Sequence, residues 1–145
     1  MALLEALTPG HKRILLEFLY ESNLIGLEKP GLSLQGANLR EANLERGHLE
    51  RANLAEAYLE RANLEETNLE EANLEEANLV DANLSKANLR GANLKQADLS
   101  GAFLQEMTEE GLTQTQINEA VGNDATKLPD YLQRPAHWRR SGRKS

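Results

Sequence analysis

The densest run of ionisable side chains in this sequence is Glu65, Glu66, Glu70, Glu71, Glu75 and Glu76, three adjacent pairs set five residues apart. Catalysis by carboxylates needs a pocket that perturbs their pKa values and a partner group within reach. A strict spacing of five spreads these acids over a regular convex surface instead. The chain has no cysteine, no glycine-rich phosphate loop and no set of histidine, acid and nucleophile, and His48 has no second ligand at metal-binding spacing. At the far end, Arg139, Arg140, Arg143 and Lys144 form a basic tail of the kind that can contact nucleic acid or another acidic surface. These residue types argue for a protein that is not an enzyme and needs no cofactor, metal or small-molecule substrate.

What positions the acids is a repeat. A Leu recurs at every fifth residue from Leu34 to Leu104, fifteen in all, with Ala two residues earlier at twelve of them and Asn one residue earlier at ten. Leu32, Gly47 and Thr67 are the departures in the small-residue column, while Ser33, His48, Tyr58, Asp98 and Phe103 interrupt the Asn column. Aromatic residues make up only 4% of the chain, so the core must be built of Leu and Ala. A period of five matches neither the 3.6 of a helix nor the 2 of a strand. If each pentad forms one side of a square and then turns, Leu and the small residue both point inward.

The pentads Ala52-Asn53-Leu54, Ala62-Asn63-Leu64 and Ala92-Asn93-Leu94 resemble the A-(D/N)-L-x-x pattern of the pentapeptide-repeat family, which is bacterial in the members it most resembles. The resemblance implies a β fold: a right-handed quadrilateral parallel β-helix, with four pentads or twenty residues per coil. Fifteen pentads make nearly four coils, a rod roughly 18 Å long at a coil spacing of ~4.8 Å. Residues twenty apart then stack. Leu34, Leu54, Leu74 and Leu94 form one buried column and Leu39, Leu59, Leu79 and Leu99 the next, with two further columns completing the interior. The Asn residues are expected to hydrogen-bond the turning backbone and one another.

Stacking also orders the outer surface. The acidic run becomes a belt around one coil, in which Glu66 lies between Arg46 and Lys86, Glu70 beside Arg90, Glu71 beside Arg51 and Glu75 beside Lys95. Opposite signs on neighbouring rungs favour correct register, and like charges remain where Glu45 meets Glu65 and Glu56 meets Glu76. Tyr58, His48 and Phe103 fall on different sides of the rod and form no cluster.

Three segments follow: residues 1–31 as an N-terminal helical cap and turn, 32–106 as the β-helix, and 107–145 as a C-terminal helical cap with the basic tail. In the first, a helix is expected between Met1 and Ile25, started by Thr8 and Pro9. Its core-facing stripe is read as Ile14, Leu15, Phe18 and Leu19, broadened by Leu16 and Tyr20, with Leu3, Leu4 and Leu7 leading in. Gly26 to Gly31, with Pro30, make the turn into the repeat, and Leu32 is expected to meet the helix. In the third, Thr113 and Gln116 form a capping box, Leu112 and Ile117 a hydrophobic staple, and Gly122 a stop. Ile117, Ala120 and Val121 should cover the last coil. The remainder, with Leu128, Tyr131, Leu132 and Trp138 docking along the rod, resembles a C-terminal extension of some bacterial family members.

The net charge is -7, and it resides in the repeat segment, which carries fourteen acidic and seven basic residues. The functional expectation is an interaction or scaffold module that presents a rigid acidic surface, with the six belt glutamates and Tyr58 as its contact residues and an as yet unidentified protein as its partner. The family resemblance implies an alternative, since some members mimic duplex DNA and act on type II topoisomerases. B-DNA carries about one charge per 1.7 Å, on the order of ten over this length. Against mimicry, bases are interleaved with the acids and the flanks lack the dimer module of those members. Weak nucleic-acid binding through the tail is a third reading. No leader peptide or membrane span is evident, so a cytoplasmic location is expected. The inward Leu columns yield a direct test: Leu74→Arg places a charge where there is neither space nor a partner, and should leave no cooperative melting transition in circular dichroism.

Overall fold

The computed structural model describes residues 8–21 and 33–138. Each pentad runs as three extended residues and a tight turn. The turn is closed by the N–H of the small residue donating to the carbonyl of the Leu three residues before it, as from Ala37 to Leu34 at 2.9 Å and from Ala77 to Leu74 at 3.0 Å. Among the described residues positive φ occurs at the second outward position alone. Twelve non-glycine residues there, from Glu41 to Glu106, lie between 55° and 59°, and Gly36, Gly91 and Gly101 lie between 63° and 72°. Positive φ confined to the third of four turn residues is the signature of a type II turn.

Four turns bring the chain back over itself after twenty residues. Parallel bridges join Asn38 to Tyr58, Asn43 to Asn63, His48 to Asn68 and Asn53 to Asn73, and the pattern continues to Asn83 with Phe103. Each side is three residues long, so the bridges stay isolated instead of merging into long strands. The pentad from Ala72 to Glu76 accounts for all of its N–H groups. Ala72 donates to Leu69, Asn73 to Ala52 in the coil before, and Leu74 and Glu76 to Asn93 and Lys95 in the coil after, all at 2.9–3.0 Å. The remaining donor, Glu75 N–H, is out of reach of any coil and goes to the side-chain oxygen of Asn73 at 3.2 Å. That bond recurs at Asn38, Asn43, Asn53, Asn63, Asn68, Asn78, Asn83, Asn88, Asn93 and Asp98. Asn is the repeat's fourth wall of hydrogen bonding, and its Nδ2 adds a ladder to the Asn one coil before, as from Asn93 to Asn73 at 3.0 Å.

Inside, Leu34, Leu54, Leu74 and Leu94 and likewise Leu39, Leu59, Leu79 and Leu99 are wholly buried, with Ala between the columns. Each such Leu contributes about 1.5–3 kcal/mol of burial. Thr67 is the one polar residue of the repeat buried in this interior, and its hydroxyl donates to the Leu44 carbonyl at 2.7 Å.

Helix α1 spans Pro9–Glu21 and begins as expected, with the Thr8 hydroxyl accepting from His11 N–H. Its buried face differs from the sequence reading. Leu16 and Leu19 enter the core with Leu15 packed against it, whereas Ile14 and Phe18 are 64% and 60% exposed. At 100° per residue, Ile14 and Phe18 lie on the far side of the helix from Leu16 and Leu19. Lys12 completes the inner face: its aliphatic stem is buried and its ammonium reaches the Arg40 carbonyl at 3.5 Å. Burial, and then the nearby Arg40 charge, lower the Lys12 pKa. Leu3, Leu4, Leu7, the turn from Gly26 to Gly31 with Pro30, Leu32 and the four tail cations lie outside the described residues.

Helix α2 spans Gln114–Glu119 with the reciprocal capping box of Thr113 and Gln116, and Leu112 and Ile117 are both buried. Two expectations fail beyond it. The chain turns extended at Ala120 (φ -84°, ψ 167°), so the helix ends before Gly122. The ladder then resumes: Val121 bridges Asp98 and Lys127 bridges Phe103, which leaves Val121 outward and 40% exposed. Gly122 therefore occupies the Leu register of a degenerate coil. Its missing side chain is replaced by Trp138, buried against it so closely that a Cβ on Gly122 would meet the indole ring. The indole N–H donates to the Ala120 carbonyl at 3.0 Å. Trp138 thus sits over the end of the Leu column, not along the rod.

The glycines at three of the positive-φ positions point to strain at the other twelve. Gln96 is exposed at φ 58°, in a region that costs a residue with a side chain about 1–2 kcal/mol. After the unfolded-state entropy of glycine is deducted, Gln96→Gly should stabilise the fold by about 0.5–1 kcal/mol, measured by chemical denaturation.

Candidate functional site

The outward chemistry sits at the corners, where each pentad presents two residues. From Glu45 to Ser85 the first lies half-buried against the Asn ladder, while the second, at positive φ, stands out into solvent. Glu65 and Glu66, Glu70 and Glu71, and Glu75 and Glu76 occupy three successive corners of a four-cornered coil, so the six acids wrap three of its corners and do not converge.

Nearly all of them are engaged. Arg46 Nε donates to Glu66 at 2.8 Å, Arg51 Nε to Glu71 at 2.7 Å, and Lys95 Nζ to Glu75 at 2.9 Å. Arg90 pairs with Glu70 at 3.0 Å, and Lys86 stands 3.8 Å from both Glu65 and Glu66. The half-buried acids are held from a second direction, since Asn83, Asn88 and Asn93 donate to Glu65, Glu70 and Glu75 at 3.3–3.4 Å. Among the described residues Glu76 makes no ion pair; it lies in the field of Lys95. Hydrogen bonding from Arg46 and its charge hold the Glu66 carboxyl below its usual pKa, and Lys95 does the same to Glu75. The reciprocal bond raises the Lys95 pKa.

Tyr58 stands apart from the belt on another side. Arg40 lies over its ring, 4.2 Å from the centroid, while the Arg40 Nε donates to Glu60 at 3.0 Å. Arg40 and Glu60 were not singled out from sequence; their spacing of twenty, the same as that of Arg46 and Glu66, was the signal. An open depression of about 290 Å³ lies beside them, lined by Arg40, Glu41, Glu60, Arg61, Val80 and Asp81. Its charges largely face one another, with Arg61 3.8 Å from Glu41. His48 has Nδ1 3.3 Å from Glu50 and lies on a side distinct from those of Tyr58 and Phe103. Among the described residues no group of side chains could hold a metal ion, and no helix is long and apolar enough to cross a membrane.

The geometry defines a class before it defines a protein: a parallel β-helical solenoid with self-paired corners. The chain belongs to the pentapeptide-repeat family, whose model matches residues 33–70 and 67–105 in eight copies of the repeat. Members of this family form right-handed β-helices and are in general non-catalytic structural modules. Among solved structures it is similar to a pentapeptide repeat protein of the cyanobacterium Cyanothece 51142, at 36% identity and TM-score 0.42, the match covering 65% of each chain. One from Nostoc Pcc 7120 is 27% identical over 84% of this chain and 94% of its own, with TM-score 0.39. HetL of Nostoc sp. Strain PCC 7120, a pentapeptide repeat protein involved in heterocyst differentiation regulation, is 29% identical over 67% of this chain and 52% of its own, with TM-score 0.37. No curated protein sequence matches the chain.

The ion pairs fix a pH dependence. Glu66 and Glu75 have depressed carboxyl pKa values in the folded chain, so the stability they confer is present above the unfolded value of about 4.3 and is lost as pH falls through the folded value. For Lys95, with a raised value, the contribution is present below about 10.4 and lost as pH rises past the folded value. The melting temperature should accordingly fall as pH drops below about 4, and the fall should be shallower in the double variant Glu66→Gln with Glu75→Gln.

Proposed function

We propose that the chain is a non-enzymatic protein-interaction or scaffold module, working in the cytoplasm, that presents a rigid solenoid surface to another protein. Its rod comprises nearly four coils over residues 32–106, closed by the helical segment within 1–31 at one end. At the other end it is closed within 107–145 by α2, the returning ladder and Trp138. The observation that supports this reading is the fixing of the corner side chains. Arg46, Arg51, Glu66, Glu70, Glu71 and Glu75 are held by cross-coil bonds of 2.7–3.0 Å, so a partner meets a surface with little left to order. The net acidity of the repeat favours a partner with a basic face, and the belt acids with Tyr58 are the contact residues assigned to it.

Mimicry of duplex DNA towards a type II topoisomerase is the competing assignment. It draws on the net charge of -7, but Arg46, Arg51, Arg90 and Lys95 divide the acids into neutralised pairs, unlike the unbroken phosphates of a duplex. Affinity capture from the source cell with the whole chain should return a protein partner, whose retention drops at least tenfold when Glu71→Lys and Glu76→Lys are introduced together. In the same preparation a gyrase supercoiling assay should be unaffected. Inhibition of supercoiling, with duplex DNA competing for the captured protein, would assign mimicry instead. Capture of no partner, or retention unchanged by the substitutions, would remove the belt as an interaction surface.

A further inference from the structure

The pentads from Leu34 to Glu106 are interchangeable in almost everything that builds the coil. Sliding one coil by a single pentad against the next keeps Leu on Leu and small residue on small residue, and it preserves the main-chain bonding pattern. A strand pairing specified so weakly is prone to slip. A slip here would loop out one pentad or leave a coil one pentad short, forfeiting the burial of a single Leu, while the rest of the Leu columns and the Asn ladder would re-form on either side of it.

The corner charges do oppose it. Among corner positions twenty residues apart, nine pairs are oppositely charged and three are alike. At fifteen apart the balance reverses, with four opposite and seven alike, and at twenty-five apart it is five and six. In the native register Arg46 meets Glu66 at 2.8 Å and Arg40 meets Glu60 at 3.0 Å. In the fifteen-residue register Arg46 would face Arg61, and Glu60 would face both Glu45 and Glu75. Two further details mark the same register. Gly47, the only glycine in the small-residue column, stands one coil before Thr67, its only threonine, and the Thr67 hydroxyl uses the turn beneath it through Leu44. Arg40 also reaches the ring of Tyr58, the next residue in the adjoining side's stack, 4.2 Å away.

We propose that the corner charges are a register key, selecting for each coil the partner exactly one twenty-residue revolution away and rejecting slips of one pentad during folding. This assignment is independent of what the rod binds, and it gives the acidic belt a role within the chain itself.

The absence of cysteine permits a direct test. Ser85→Cys with Gln105→Cys reports the native register through a disulfide, since stacked positions lie within disulfide reach, and Ser85→Cys with Ser100→Cys reports the fifteen-residue slip. Each reporter pair is placed in three backgrounds of equal net charge: the natural corners, a neutral set (Glu70→Gln, Glu75→Gln, Arg90→Gln, Lys95→Gln) and a swapped set (Glu70→Arg, Glu75→Lys, Arg90→Glu, Lys95→Glu). On oxidative refolding at low salt, the natural and swapped chains should form the native disulfide almost exclusively. The neutral chain should form the slipped disulfide at least severalfold more often. Equal partition in the natural and neutral chains, or as much slip in the swapped chain as in the neutral one, overturns the proposal. Should the neutral chain not refold, the natural chain refolded in about 1 M salt, where the screening length is about 3 Å, carries the same test: its slipped fraction must rise, and an unchanged fraction refutes the key.

Discussion

Everything in this molecule depends on one main-chain constraint: three of the five N–H groups in a pentad can be satisfied only by another coil twenty residues away. Leu74 and Glu76 donate forward to Asn93 and Lys95, and Asn73 donates back to Ala52. A single coil therefore cannot exist alone, and the buried Leu columns form only when coils stack. Burial supplies the driving force, but the hydrogen bonds dictate that it be realised as a rod. The fourth and fifth donors are closed locally, one by the turn and one by the Asn side chain, which is why Asn and a small residue recur as strictly as Leu.

The constraint has costs that the sequence shows only indirectly. The turn places its third residue at positive φ, and twelve side chains accept that conformation because glycine appears at only three such positions. Those strained positions are also the most exposed, so their residues are free to carry charge. Charge and strain thus share the same sites, and the ion pairs between rungs tie down side chains that the turn has pushed into solvent. Where the Asn is replaced, as at Tyr58, the first corner residue loses its side-chain acceptor, and Arg40 covers the substituted ring instead.

The ends show how a repeat stops. At one end α1 lays Leu16 and Leu19 into the core and sends Lys12 to the Arg40 carbonyl, which no earlier coil can reach. At the other, Gln116 donates to the Leu89 and Ala92 carbonyls, and Thr126 donates to Leu99 as Thr67 does to Leu44. The last coil is assembled from pieces distant in sequence, with Trp138 in the place that Gly122 leaves empty. Among the described residues the chemistry is that of a fixed, patterned surface.

By itself the sequence determined the pentad and its inward Leu and small residue; its resemblance to the pentapeptide-repeat family implied twenty residues per coil, and with that spacing the stacked neighbours Arg46 with Glu66 or Arg51 with Glu71 follow from counting. It could not place α1's buried face, because Ile14 and Phe18 are as apolar as Leu16 and Leu19, and only contact with the first coil distinguishes them. Nor could it show that Val121 and Lys127 rejoin the ladder, since the spacing there departs from twenty and the pattern residues are gone. The inward position of Gly122 is filled from sixteen residues away in the chain. Such a substitution has no period to reveal it; packing against the exposed end of the Leu column decides it, and that surface exists only in the folded rod.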